Sequence, residues 1–103
     1  MPWLTRDAEV LASVVAWKTA PWAALEGAVL REGPALIHSF RSPGVLDVAW
    51  CRRTEACLEV RRVATLRPHR VARPCFGVAL AAAGGAFERW HLQVGDLLEV
   101  QSP

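Results

Sequence analysis

Short apolar segments separated by turn residues follow one another from residue 34 onward, and this spacing constrains the fold more than any other feature. In residues 45–51 and 57–66, apolar side chains recur at every second position, which is the period of a β-strand. Closely spaced strands of this kind are typical of small sheets that curve or close into barrels. The strands predicted in this part of the sequence span residues 35–37, 45–51, 57–66, 75–83 and 97–100.

The first third of the sequence predicts one further strand and one helix. Residues 10–16 form a short apolar run that is typical of a strand. Thr19 and Pro21 then suit the first turn of a helix, because threonine caps free N–H groups and proline is tolerated there. Residues 33–34, Gly-Pro, predict the end of this helix. The apolar residues between these signals share one helical face: Trp22, Leu25 and Val29.

Glycine-containing turns are predicted at residues 42–44, 84–85 and 95–96, and a short helical turn at residues 86–91. A chain of 103 residues buries roughly 65% of its unfolded surface. We therefore expect a single domain over residues 1–103 with a mainly β (α+β) fold. Its architecture is a small curved sheet or barrel of five to seven strands, with one helix in its N-terminal half and a short helical turn near the C-terminus.

The three cysteines, Cys51, Cys57 and Cys75, include no pair at C-x-x-C spacing. Free buried thiols behave as small apolar groups, and we favour an inert structural role for them. A metal site would have to combine His38, His69 and Cys75, and nothing in their spacing requires it. We predict neither a metal nor a cofactor.

No run of about 18 apolar residues is present to span a bilayer. The early acidic residues Asp7 and Glu9 do not fit the basic and then apolar pattern of a signal peptide. We expect a soluble, cytoplasmic protein.

Between residues 52 and 73 seven arginines accompany only Glu55 and Glu59, an excess of positive charge that can hold phosphates. Proteins that bind single strands also stack bases on aromatic rings, and this segment contains none. A solvated arginine-rich surface is therefore favoured, and nucleic-acid binding is kept as an alternative.

Nucleophilic catalysis is disfavoured, because His38 and Ser39 are adjacent and adjacent residues of an extended segment point to opposite faces. We predict no catalytic residues. A polar set remains on apolar segments: His38 at a strand end, Asp47 on a strand face, and Arg62 on the apolar side of residues 57–66. Either a bulge near residues 61–62 resets the strand register or Arg62 meets a buried carboxylate. The set forms an internal network or lines a pocket.

Two runs, residues 37–40 (Ile-His-Ser-Phe) and 46–50 (Leu-Asp-Val-Ala-Trp), resemble the signature segment of the domain of unknown function 192 family. Residues 67–70 resemble that family's proline and arginine loop, and residues 85–87 with 94–99 resemble its closing G-x-x…V-G-D-x-L-E segment. The order and spacing of these motifs cover most of the chain. The resemblance implies a compact β-rich fold with a helix near the N-terminus, and it implies no chemistry.

The sequence departs from that family between His38 and Asp47, where residues 41–45 replace the usual G-M-x-F-P. Ala81 stands where the family carries a glutamate. A site that needs this acid is therefore lost in the present chain.

Together these features favour a non-enzymatic interaction or small-ligand binding protein, with His38, Asp47 and Arg62 as the ligand-binding residues and a protein or a small molecule as the partner. One alternative is an enzyme in which His38 acts as acid or base and Asp47 orients it. Another is nucleic-acid binding by the arginines of residues 52–73.

Overall fold

The computed structural model describes residues 2–16, 27–40 and 42–101. These residues form seven strands of a closed barrel and one short helix, which confirms the prediction of a mainly β, barrel-like fold. The elements along the chain are β1 (Trp3–Arg6), β2 (Glu9–Ala16), β3 (Ala28–Glu32), β4 (Leu46–Thr54), β5 (Cys57–Leu66), β6 (Val78–Ala83), α1 (Ala86–Arg89) and β7 (Leu97–Gln101).

The strands follow one another around the barrel in the order β1, β2, β3, β6, β4, β5, β7. Pairing of β7 with β1, where Leu4 lies opposite Val100, closes the barrel. The neighbouring strands are antiparallel except β2 and β3, which run parallel. Closure satisfies the backbone groups that an open sheet would leave at its edges.

The apolar side chains form two clusters, one inside the barrel and one outside it. Every strand contributes to the interior cluster, and Phe87 of α1 packs there as well. The outer cluster covers β4 and β6 with Ile37 and Cys75, which come from the segments before and after those strands. β4 is therefore buried on both faces, with Leu46, Val48 and Trp50 on its outer side and Ala49 and Cys51 on its inner side.

A β-bulge in β5 explains the arginine on its apolar face. Trp50 lies opposite Arg62, whereas the next residue, Cys51, lies opposite Val60. Arg61 is therefore the extra residue on β5. The bulge changes which side the later residues of the strand face, and Arg62 is exposed. Of the two explanations predicted for Arg62, the register shift is the one observed.

The helix predicted in the N-terminal half does not extend to its predicted end. Val29 belongs to strand β3, which pairs with β2 on one side and β6 on the other. Two ladders of backbone hydrogen bonds outweigh the weak helical spacing of its apolar residues. Trp22 and Leu25, and with them the predicted helix start at residues 19–21, lie outside the described residues.

Most of the other predicted elements are confirmed with small shifts at their ends. β5 has the predicted bounds, and α1 forms within the predicted helical turn. The strand predicted over residues 35–37 is reduced to an isolated bridge between Ala35 and Cys75. In the described parts of the chain, no helix is long and apolar enough to cross a membrane.

The cysteine thiols are free, and two of them, Cys51 and Cys75, are buried. Burial raises the pKa of the Cys51 thiol from 9.0 to about 12 and also raises the pKa of Cys75. The pKa of the partly buried Cys57 thiol is raised by desolvation and by the neighbouring Glu99 carboxylate. Because the thiolate is the reactive form, these environments favour inert thiols.

We expect Cys57 to be the first thiol of the folded protein to react with a disulfide reagent at pH 8. The raised pKa of Cys51 leaves very little thiolate at pH 8, and the reagent also has to reach a buried sulfur. A thiol assay before and after unfolding measures the difference. The Cys57→Ser variant should lack the fast phase, and rapid reaction of two or more thiols in the folded wild type would contradict the expectation.

Candidate functional site

The candidate site is centred on Asp47, a carboxylate placed on an otherwise apolar strand. Alternation along β4 puts Asp47 on the same side as Ala49 and Cys51, which face the barrel interior. Asp47 is only 6% exposed. A carboxylate this buried needs hydrogen-bond donors to offset the loss of water.

Backbone groups at the start of α1 supply those donors. Asp47 Oδ2 accepts hydrogen bonds from the Gly85 N–H at 2.9 Å and from the Phe87 N–H at 3.1 Å. The first N–H groups of a helix have no partner within the helix. Gly85 precedes α1 with φ of 94° and has no side chain to cap it. Asp47, from a distant strand, therefore caps the helix.

The other carboxylate oxygen of Asp47 is much less engaged. Within the described residues its hydrogen-bond partner is the Thr65 hydroxyl, which donates to Oδ1 across 3.5 Å, at the long limit of a hydrogen bond. Thr65 lies directly opposite Asp47 on the neighbouring strand β5. Oδ1 therefore keeps most of its capacity to accept a hydrogen bond from another donor.

Asp47 and Thr65 line an open groove of about 540 Å³. The groove lies between the start of β4, residues 63–65 of β5, the turn after β6 and the start of α1. The volume lies within the range of small-molecule sites. Glu88 of α1 adds a second carboxylate; it is exposed and forms no ion pair with any residue in the described ranges. The remaining lining residues are apolar or glycine: Val45, Val63, Ala64, Gly84, Gly85 and Phe87.

His38 lies elsewhere, on the segment that covers the outer cluster. It forms an isolated bridge with Val71, and its ring stacks on Phe40 with 4.7 Å between the ring centroids. His38 Nδ1 accepts a hydrogen bond from the Phe40 N–H at 3.2 Å. Among the residues that the structure describes, the donors to Asp47 are Gly85, Phe87 and Thr65, so no hydrogen bond joins Asp47 to His38.

The structure does not bring the three predicted ligand-binding residues together. Asp47 lines the groove, whereas neither His38 nor Arg62 is among the described residues that do. Arg62 is exposed on β5 and forms no ion pair within the described part of the chain. The shared polar site predicted for these residues is thus replaced by a groove around Asp47 and a separate surface around His38.

Ala81, which the sequence resemblance predicts to replace a glutamate, is fully buried in the outer cluster. It lies opposite Val48 of β4 and Val29 of β3. Close packing between two strands explains the small side chain. It is not a lining residue of the Asp47 groove.

Sequence reasoning missed Thr65, Glu88 and the N–H groups of Gly85 and Phe87. The available signal was the Gly-Gly turn before a short helical segment, since a helix start without a capping side chain needs an acceptor from elsewhere. Among the residues that the structure describes, no three His, Cys, Asp or Glu side chains form a group able to hold a metal ion.

Comparison with known proteins identifies no relative of this chain: no family model matches it, and no curated protein or solved structure does so.

Proposed function

We propose that this protein is a non-enzymatic binding protein whose groove at Asp47 holds a small ligand with a cationic or hydrogen-bond-donating group. The observation that carries the proposal is the unequal use of the two carboxylate oxygens. Oδ2 accepts two backbone hydrogen bonds, whereas Oδ1 has one long contact with Thr65. A fixed carboxylate that lines a groove and whose Oδ1 accepts only one long hydrogen bond from the described residues suits an ammonium, amidinium or amide group.

The walls of the groove favour a ligand that also has an apolar part. Val45 and Val63 line it and are 41% and 39% exposed, and the buried residue Phe87 lines it as well. Apolar walls with a few placed polar groups are typical of small-molecule sites. Glu88 adds negative charge at the groove, which favours a cationic ligand over an anionic one.

The hydrogen bonds of Asp47 support a binding role over an enzymatic one. An acid or base must be within hydrogen-bond reach of the proton it transfers, and a residue that orients histidine must contact it. Asp47 instead accepts hydrogen bonds from the start of α1, and His38 accepts one from Phe40. The resemblance to the domain of unknown function 192 family remains part of this proposal, and it adds no chemistry.

The proposal is tested by titrating 2-phenylethylamine, which combines an ammonium group with an apolar ring, into ¹⁵N-labelled protein. We expect the amide signals of Thr65, Gly85 and Glu88 to shift. The Asp47→Asn substitution, which removes the charge and nearly preserves the shape, should weaken binding about tenfold or more, because hydrogen bonds to charged groups contribute roughly 1.5–3 kcal/mol.

The matched control is Asp7→Asn, which makes the same chemical change at an exposed turn residue outside the groove. It should leave the affinity unchanged. Phenylacetate, with the opposite charge, should bind more weakly than the amine. Equal affinities of the Asp47→Asn and Asp7→Asn variants, or the absence of any shift at the groove, would contradict the proposal.

A further inference from the structure

A second surface is formed where residues 37–40 lie alongside residues 67–73; we call it the Ser39 ribbon. The Ser39 N–H donates to the Arg70 carbonyl oxygen at 2.9 Å, and the Ala72 N–H donates to the Ile37 carbonyl oxygen at 2.8 Å. The His69 N–H donates to the Ser39 carbonyl oxygen at 3.1 Å. These hydrogen bonds join two segments that are far apart in the sequence.

Within this ribbon, the side chain of Ser39 is fully buried. Its hydroxyl accepts a hydrogen bond from the Arg70 N–H at 2.9 Å and donates one to the Arg67 carbonyl oxygen. A buried hydroxyl with both a donor and an acceptor partner holds the backbone of both segments in a defined position. The ribbon is therefore a preformed surface.

The outward side of the ribbon carries stacked rings. Ser39 is buried, whereas His38 before it is half-buried and Phe40 after it is exposed, so both rings lie on the outward side. Their rings are 4.7 Å apart between centroids, with 26° between the ring planes. Phe40 remains 45% exposed. An exposed aromatic ring in a short stack presents a surface on which a further planar ring can stack.

Residues 67–73, which form one side of the ribbon, lie in a stretch with uncompensated positive charge. No Asp or Glu occurs in residues 60–87. Four arginines in this stretch are exposed and form no ion pair with a described residue: Arg62, Arg67, Arg70 and Arg73. By contrast, Arg52, Arg53 and Arg61 are each within 4.0 Å of a glutamate. Arg67, Arg70 and Arg73 belong to the ribbon, whereas Arg62 lies on β5 outside it. The three arginines of the ribbon alone exceed the net charge of +2 of the whole chain.

We infer that the Ser39 ribbon binds single-stranded nucleic acid. Arginine guanidinium groups suit phosphate oxygens, and the rings of Phe40 and His38 suit unpaired bases, which stack on aromatic side chains without strong sequence preference. Taken alone, the arginine segment lacks aromatic residues. The fold supplies them from residues 38–40, which lie beside it. This surface is separate from the Asp47 groove, because neither His38 nor Phe40 lines that groove.

The test is fluorescence anisotropy of a labelled oligothymidylate at low salt, in parallel with an abasic oligomer of equal length that keeps the phosphates and lacks the bases. We expect the oligothymidylate to bind more tightly and its affinity to fall steeply as salt rises. Phe40→Ala should weaken oligothymidylate binding about tenfold and leave abasic binding unchanged. Arg70→Gln should weaken both and lower the slope of log affinity against log salt by about one.

Two matched variants serve as controls. Phe76→Ala removes an 81% exposed ring that lies outside the ribbon. Arg52→Gln removes an arginine that forms an ion pair with Glu59. Both should keep nearly the full affinity. Equal losses in Phe40→Ala and Phe76→Ala would overturn the inference. So would binding of polyglutamate or of vesicles containing anionic lipid without binding of oligothymidylate, which would indicate an acidic protein or a membrane surface instead.

Discussion

Replacement of Asp47 by Ala is expected to lower the free energy of unfolding by about 2–4 kcal/mol. The substitution removes the acceptor of the Gly85 and Phe87 N–H groups at the start of α1. The Phe87 N–H lies in a buried contact, where water cannot fully replace the lost partner, and an unsatisfied buried donor is costly. Phe87 also packs in the interior cluster, so loosening of α1 weakens the barrel core as well. Urea denaturation measures the change.

Asp47→Asn separates this structural role from the binding role. The amide oxygen can still accept hydrogen bonds from the two N–H groups, so we expect a loss of only about 1 kcal/mol. The amine affinity should nevertheless fall as described above, because the charge is absent. If Asp47→Ala were as stable as the wild type, the capping role would be wrong. If Asp47→Asn kept full amine affinity, only the binding proposal would fail.

Leu98→Ala is expected to destabilise the protein by about 2–5 kcal/mol. Leu98 is fully buried in the interior cluster and lies opposite Leu58 on β5. Its strand, β7, closes the barrel by pairing with both β1 and β5. The alanine leaves a cavity that the rest of a closed barrel cannot easily fill, which adds to the lost transfer free energy.

Leu97→Ala provides the matched control, since it makes the same change at the adjacent residue on the same strand. Leu97 is 53% exposed, and its replacement should change stability by less than about 0.5 kcal/mol. Both variants are compared with the wild type by urea denaturation. Similar destabilisation by the two substitutions would mean that the inward and outward sides of β7 are assigned incorrectly.

The sequence predicts the central strands well because their signal is local. In β4 the alternation of side chains separates Leu46, Val48 and Trp50 from Ala49 and Cys51, and the two sets occupy different clusters. The small residues of β6 predict close approach of neighbouring strands, and Ala79 and Ala81 are fully buried. These features need only the two-residue period of a strand.

Two elements of the barrel were not predictable in the same way. β1 is four residues long and includes Thr5 and Arg6, so its sequence carries little apolar periodicity. It is a strand because β2 and β7 pair with its two edges. β3 is also a strand because of its neighbours. Its apolar residues fit a helix end or a strand equally well, and pairing with β2 and β6 decides between the two.

By itself, the sequence determined that the chain forms short strands, that the cysteines have no C-x-x-C spacing, and that arginines are concentrated in one stretch. The tertiary structure decided which polar groups meet. Asp47 accepts hydrogen bonds from residues 38 and 40 positions away, and Ser39 joins a segment 31 positions away. Contacts at such separations depend on strand order, the bulge and barrel closure, and no local period in the sequence encodes them.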